Sequence, residues 1–223
     1  MIIYQGSPVK VTRPLLELGK KNNDYGQGFY CTPSKDMARE WAVGADHNGY
    51  ANSYSLDLTD LNVLNLNAEE YTILHWLTIL IENRTFSFKS PLSREAAEYL
   101  KKEFFIDYRQ YDVITGYRAD DSYFAFAQDF LNGTISISQL SYAMRLGDLG
   151  TQIVLKKQKA FDKLKFISAE PVYKEEWYLK REQRDKRARK LYFSQDRDSY
   201  VRGSVYITKI LDEEIKADDP RIR

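Results

Sequence analysis

The side chains most often used for catalysis are scarce in this sequence. Histidine occurs twice, at His47 and His75, and cysteine once, at Cys31. That stock leaves almost nothing for a Ser-His-Asp triad or a multi-histidine metal site, and it excludes an internal disulfide and a cysteine-rich zinc site. His75 beside Trp76 reads as a core histidine, and Cys31 as inert packing. Three short segments are richer. Tyr4-Gln5-Gly6-Ser7, the run Asp24 to Thr32 with Gly28 and Tyr30, and Gly150 to Leu155 with Gln152 combine rings, glycines, amides and hydroxyls. Singly, Tyr4 and Tyr30 read as core aromatics and Gly6 and Gly28 as turn glycines; as a spaced set they are site candidates. Asp120 and Asp121 follow Arg118 and can cap a helix, pair with Arg118 or meet a ligand. Asp24 reads as a turn former.

A different chemistry is offered late in the chain. Lys180, Arg181, Arg184, Lys186, Arg187, Arg189 and Lys190 crowd one segment, with Trp177, Tyr178, Tyr192 and Phe193 nearby. Cations interleaved with rings are what a nucleic-acid surface uses. Glu182 and Lys186 stand four apart, as on a solvated helix, and that is the favoured reading. The whole chain of 223 residues balances 33 basic against 32 acidic residues, for a net charge of +1, so bulk electrostatics selects no partner. Hydrophobic residues at 43% and aromatics at 14% suffice for a full-sized core and argue against extensive disorder. No apolar run is long enough to span a bilayer, and the N-terminus lacks a basic start with a long apolar stretch, so a cytoplasmic location and no membrane partner are expected.

The elements that must position these residues follow from pattern. Ile2 to Tyr4 reads as a short strand stopping at Gly6, followed by a loop from Lys10 to Asn23. A short aromatic strand around Phe29 to Thr32 leads to a helix opened by Ser34 and running through Ala42. Strands are predicted at Asn52 to Leu58 and Val63 to Leu66. Helices are predicted at Glu69 to Asn83, apolar at Ile73, Trp76, Leu77 and Leu80, and at Ser93 to about Phe104. Next come a strand at Tyr111 to Ile114, a helix at Asp120 to Leu131 ended by Asn132-Gly133, and a helix at Ser136 to Leu146. Strands at Thr151 to Leu155 and Lys165 to Ile167 flank a helical piece at Gln158 to Asp162. From Glu175 the pattern is helical and charged, and a last helix spans about Val205 to Ile215. This is an α+β reading, divided into residues 1–170 and a charged helical extension, 171–223.

The three spaced segments resemble the motifs of the histidine-tyrosine-glutamate class of ADP-ribosyltransferases. Tyr4-Gln5-Gly6-Ser7 is similar to its aromatic-His-Gly-Ser strand, and Gly28-Phe29-Tyr30 with Ser34 and Ala38 to its Gly-x-Gly-x-Tyr motif and Ser-capped helix. Gly150-Thr151-Gln152-Ile153-Val154-Leu155 is similar to its late strand, which normally starts with glutamate. More closely, from Tyr4 to about Ile167 the chain resembles the bacterial DUF3990 branch of that superfamily. The shared features include Asp24-Tyr25-Gly26, Trp41-Ala42, His75-Trp76-Leu77, Asn83-Arg84, Tyr111-Asp112 and Arg118-Ala119-Asp120-Asp121.

The resemblance implies a split β-sheet core with helical insertions and a pocket for NAD as substrate, with no metal. Gly6 would let backbone meet the nicotinamide amide, Ser7 would add a hydroxyl, and Tyr30 would stack on the ring. Gln5, in place of histidine, would hydrogen-bond a ribose hydroxyl, and Arg118 would meet a phosphate. Tyr4, Gly28, Asp120 and Asp121 complete the binding set. The catalytic candidates are Gln152, Tyr30 and Gln5. Glutamine at 152 keeps the hydrogen bond of the usual glutamate and loses its charge. A unit charge at about 4 Å is worth ~4 kcal/mol at an effective dielectric of 20, or roughly a thousandfold in rate. The chemistry is then slow, or another carboxylate substitutes, or the protein binds without catalysing. The leading expectation is a mono-ADP-ribosyltransferase acting on a protein or nucleic-acid target, in a toxin or defence role, with an antitoxin as a possible partner. The alternatives are a catalytically silent NAD- or nucleotide-binding module and a nucleic-acid-binding protein using the C-terminal helix.

Overall fold

A computed structural model describes residues 1–119, 121–145, 150–194 and 200–223, with the side chains of 121–123, 193 and 194 also outside that description. Among the described residues seven strands form two sheets. Strands β1 (Ile2–Ser7), β3 (Gly49–Leu56) and β7 (Leu164–Val172) make an antiparallel sheet in the order β1-β3-β7. Strands β2 (Phe29–Cys31), β4 (Val63–Asn65), β5 (Val113–Tyr117) and β6 (Thr151–Leu155) make the second, ordered β2-β6-β5-β4, in which only β4 and β5 run parallel. One bridge joins them: Tyr4 and Thr32 exchange backbone hydrogen bonds of 2.8 Å in both directions. Among the described residues eight α-helices surround the sheets: α1 (Lys35–Ala42), α2 (Ile73–Asn83), α3 (Pro91–Glu103), α4 (Asp121–Leu131), α5 (Ile137–Ala143), α6 (Gln158–Asp162), α7 (Lys174–Ser194) and α8 (Ile207–Asp212). The α+β reading holds.

Local signals set several helix ends. Ser34 caps α1 by accepting from the Met37 amide at 3.2 Å. Thr72 caps α2, three residues later than Glu69, because its Oγ accepts from the Leu74 amide while His75 Nδ1 accepts from the Thr72 amide at 2.9 Å. Helix α3 begins at Pro91 because Ser90 is the cap, and Ser93, predicted to start the helix, is instead its third residue and bonds back to Ser90. Gly133 (φ 77°) closes α4, with Gly133 N donating to Phe130 O and Thr134 N to Asp129 O, the paired bonds of a left-handed cap.

Strand lengths depart further from expectation, since pairing partners decide them. β1 runs through Gly6 to Ser7, which lie opposite Ala51 and Tyr50 of β3. β7 is longer than Lys165–Ile167, and Pro171 is tolerated in it because β7 is an edge strand. Gly6 and Gly49 let α1 lie flat on the first sheet. A Cβ at Gly6 would sit 2.1 Å from the Ala38 carbonyl oxygen, and one at Gly49 would sit 1.9 Å from that of Ala42.

The largest core joins the second sheet to α2–α5 and α8. Helix α2, predicted apolar at Ile73, Trp76, Leu77 and Leu80, is buried on all sides from Ile73 to Ile81. Ala188, Tyr192, Val205, Ile207, Ile210 and Ile215 belong to that same core, so the C-terminal segment packs against the rest of the chain. A smaller core of Ile3, Tyr54, Leu56, Val113, Ile153, Leu155 and Phe161 draws on both sheets. Ala38, Ala42, Ala51 and Val172 form a third under α1.

Candidate functional site

Where the seam between the sheets meets α1 and α7 there is a cleft of about 600 Å³. β1 brings Gly6 to it, β2 Tyr30, β6 Gln152 and α1 Trp41. The loop before β2 brings Lys20, Asn23 and Asp24; Arg84 follows α2, and Arg118 and Ala119 follow β5. Helix α7 supplies Arg181, Asp185 and Arg189. The lining therefore holds five cationic side chains (Lys20, Arg84, Arg118, Arg181, Arg189) against the carboxylates of Asp24 and Asp185, and it favours an anionic ligand.

The fixed parts of the site can be followed bond by bond. Asp24 is buried, accepts from the Ala119 amide at 2.8 Å and lies 3.3 Å from Arg84 Nη1. Instead of merely forming a turn, it ties the loop to the end of β5 and orients Arg84. Arg118 lies with its Cζ 4.4 Å from the Trp41 ring centroid and its Nη1 3.8 Å from Met37 Sδ, contacts that hold the guanidinium against the ring. The Tyr30 hydroxyl donates to Gly26 O at 2.5 Å and accepts from the Tyr25 amide at 3.1 Å. Burial pushes the Tyr30 phenol well above its ordinary value, so the hydroxyl shapes the loop and the ring is what Tyr30 offers to the cleft. Gln152 stands opposite Gly116 in the β5–β6 ladder and is 7% exposed. Its Oε1 is buried with no hydrogen-bond partner among the described residues, and so is the Nε1 of Trp41. Each such orphan costs roughly 1–3 kcal/mol, and both belong to residues that line the cleft.

Lys156 braces the same loop from behind, donating to the carbonyl oxygens of Tyr25 and, at 2.5 Å, Gln27. Burial pulls its pKa from 10.5 down to about 8. Between these two values the unfolded chain binds more protons than the folded one, so this group's contribution to stability rises with pH across that window. Lys156→Met is expected to remove that rise, measured by urea denaturation at pH 7.5 and pH 10; an unchanged pH slope would show that Lys156 is not its source.

The structure brings Gly6, Tyr30, Arg118 and Gln152 together in the cleft and leaves Tyr4, Gln5, Ser7 and Gly28 outside its lining. Side chains alternate along β1, so the neighbours of Gly6 point away from the cleft. The Gln5 side chain accepts from Asn52 Nδ2 at 3.0 Å and donates to Gly6 O at 2.9 Å. Ser7 is buried, its Oγ accepting from the Val9 amide at 3.2 Å. Tyr4 packs against the core under α1. Gly28 abuts Val154, where a Cβ would come within 2.7 Å of Cγ1. Asp120 and the side chain of Asp121 lie outside the described residues.

The α7 residues are the main addition. Arg184 Nε donates to Glu40 of α1 at 2.8 Å, and both side chains are largely buried. The Tyr192 ring centroid lies 3.8 Å from that of Phe126, the rings tilted by 35°, and its hydroxyl donates to Asp129 at 2.9 Å. On the outer face Lys180 pairs with Glu176 at 2.6 Å and Lys186 with Glu182 at 3.9 Å, the solvated pattern expected. The inner face carries Arg181, Asp185 and Arg189 at four-residue spacing, a periodicity visible in the sequence whose target was not.

A family model described as a protein of unknown function, DUF3990, matches residues 1–166. The chain belongs to the DUF3990 family. No curated protein and no solved structure matches it. The DUF3990 segment ends within β7, so it holds Gly6, Tyr30, Arg118 and Gln152 but none of the α7 lining. Among the described residues no helix is long and apolar enough to cross a membrane, and no group of three His, Cys, Asp or Glu could hold a metal ion.

Proposed function

We propose that the cleft binds NAD on an ADP-ribosyltransferase-like fold and that the protein is a mono-ADP-ribosyltransferase. One observation carries the reading: Gly6, Tyr30, Arg118 and Gln152, from four distant parts of the sequence, line a single cationic cleft. Its size falls within the ~300–1,000 Å³ of ligand pockets, and its cations suit the two phosphates of a dinucleotide. In the reaction the bond between the ribose carbon and the nicotinamide nitrogen breaks. Its electron pair goes to that nitrogen and neutralises the ring, while a nucleophile on the acceptor bonds to the ribose carbon and loses its proton. The Tyr30 ring holds the nicotinamide, and the unpartnered Oε1 of Gln152 accepts from a ribose hydroxyl. The acceptor is a protein or a nucleic acid. The toxin or defence role and the antitoxin partner belong to the same proposal and rest on the resemblance; the cytoplasmic setting belongs to it on the sequence expectation alone.

A second reading has its own support. Gln152 lacks the charge of glutamate, and both described carboxylates of the cleft stand beside arginines, Asp24 by Arg84 and Asp185 by Arg184 at 3.0 Å. That arrangement suits a module that holds NAD without cleaving it. Mass spectrometry of the protein incubated with NAD and a cell extract separates the two. Free nicotinamide and an ADP-ribose adduct, both lost in Tyr30→Ala and Gln152→Ala, are expected of the transferase. Intact NAD, bound by the unaltered protein but not by Tyr30→Ala, would establish the silent module.

A further inference from the structure

We infer that α7 supplies one side of a diphosphate grip, with Arg181 and Arg189 holding the phosphates of a dinucleotide; the inference rests on the reading of the cleft as an NAD site. Helix α7 lies beyond the family-matched segment, so this grip draws on residues that the family model does not cover. A helix laid against a protein normally turns apolar residues inward. At the cleft, α7 instead presents Arg181, Asp185 and Arg189. Eight residues of helix place the two arginines about 12 Å apart along its axis, a span that two long side chains can close on a diphosphate between them. The guanidinium fork matches phosphate oxygens two at a time.

The helix is held where this grip needs it. The Arg184–Glu40 pair fixes it to α1, and Ala188 and Tyr192 are buried in the main core. The same cleft is lined by Arg118, 4.4 Å from the Trp41 ring centroid, and Arg84, set by Asp24. A diphosphate in the cleft thus meets cations from α7 and from the family-matched segment. The intervening carboxylate of Asp185 lies 3.0 Å from Arg184, which offsets its repulsion.

The test is calorimetric titration of the full chain with NAD, ADP-ribose and nicotinamide riboside, comparing the unaltered protein with the double variant R181Q/R189Q. The variant is expected to bind NAD and ADP-ribose at least about tenfold more weakly, and to bind the phosphate-free riboside unchanged. R181K/R189K, keeping the charges without the forks, is expected to fall between. Should the double variant fail to fold, R181Q alone carries the test, with an expected loss of about threefold or more. Unchanged NAD affinity in the variants would overturn the α7 grip and leave the NAD site standing. Equal weakening for the riboside would reduce α7 to a structural wall. Failure of the unaltered protein to bind NAD would remove the reading of the cleft itself and the grip with it.

Discussion

Gln152→Glu is expected to raise the rate of nicotinamide release from NAD by about a hundred- to a thousandfold. The upper figure is the worth of one carboxylate charge near the cationic ribose carbon of the transition state, ~4 kcal/mol at about 4 Å and an effective dielectric of 20. The lower figure allows for the position, which is only 7% exposed and so resists ionisation. The five cations of the cleft work against that resistance and favour the charged form. Glutamate keeps the acceptor oxygen that glutamine has, so ground-state affinity should change little and the gain should appear in kcat rather than KM. Single-turnover measurement of nicotinamide release checks this. An unchanged rate in a variant that still binds NAD would mean that charge at position 152 is not what limits the reaction.

Gly6→Ala is expected to cost about 2–3 kcal/mol of stability and to weaken NAD binding as well. The new methyl would stand 2.1 Å from Ala38 O, 2.6 Å from Ala42 N and 2.7 Å from Trp41 Cβ, mostly against backbone, which has no rotamer with which to yield. Helix α1 must lift from β1, carrying with it Trp41 and the surface on which Arg118 lies. Gly49→Ala should cost a similar amount, since it pushes the same helix from β3, and the two costs should not add. Urea denaturation of both single variants and the double variant measures this; a loss below ~0.5 kcal/mol at Gly6 would show that α1 is not pinned there.

Sequence reasoning located the elements better than their ends. The Ser34 cap, the Asn132-Gly133 stop and the short α6 are local signals, and they hold in the structure. The lengths of β1, β5 and β7 are not local, because each depends on a strand distant in sequence. The site divides along the same line. Gly6, Tyr30, Arg118 and Gln152 were legible because a spaced motif names them. Lys20 carries no motif, and Trp41 and Arg84, though among the shared features, gain a role in the cleft only from where their elements dock. Arg181, Asp185 and Arg189 follow a helical period, yet that period fits a solvated face equally well until α7 is seen against α1. Gln5 shows the converse: its motif position is suggestive, while strand alternation and the bond from Asn52 turn its side chain elsewhere.

The central claim is that this cleft holds NAD. Calorimetric titration of the purified chain with NAD, alongside Arg118→Ala, tests it most directly. Binding of one NAD per chain, weakened at least about tenfold by loss of the arginine that lies on Trp41, is the predicted result. Absence of binding, or binding indifferent to Arg118, would contradict the account.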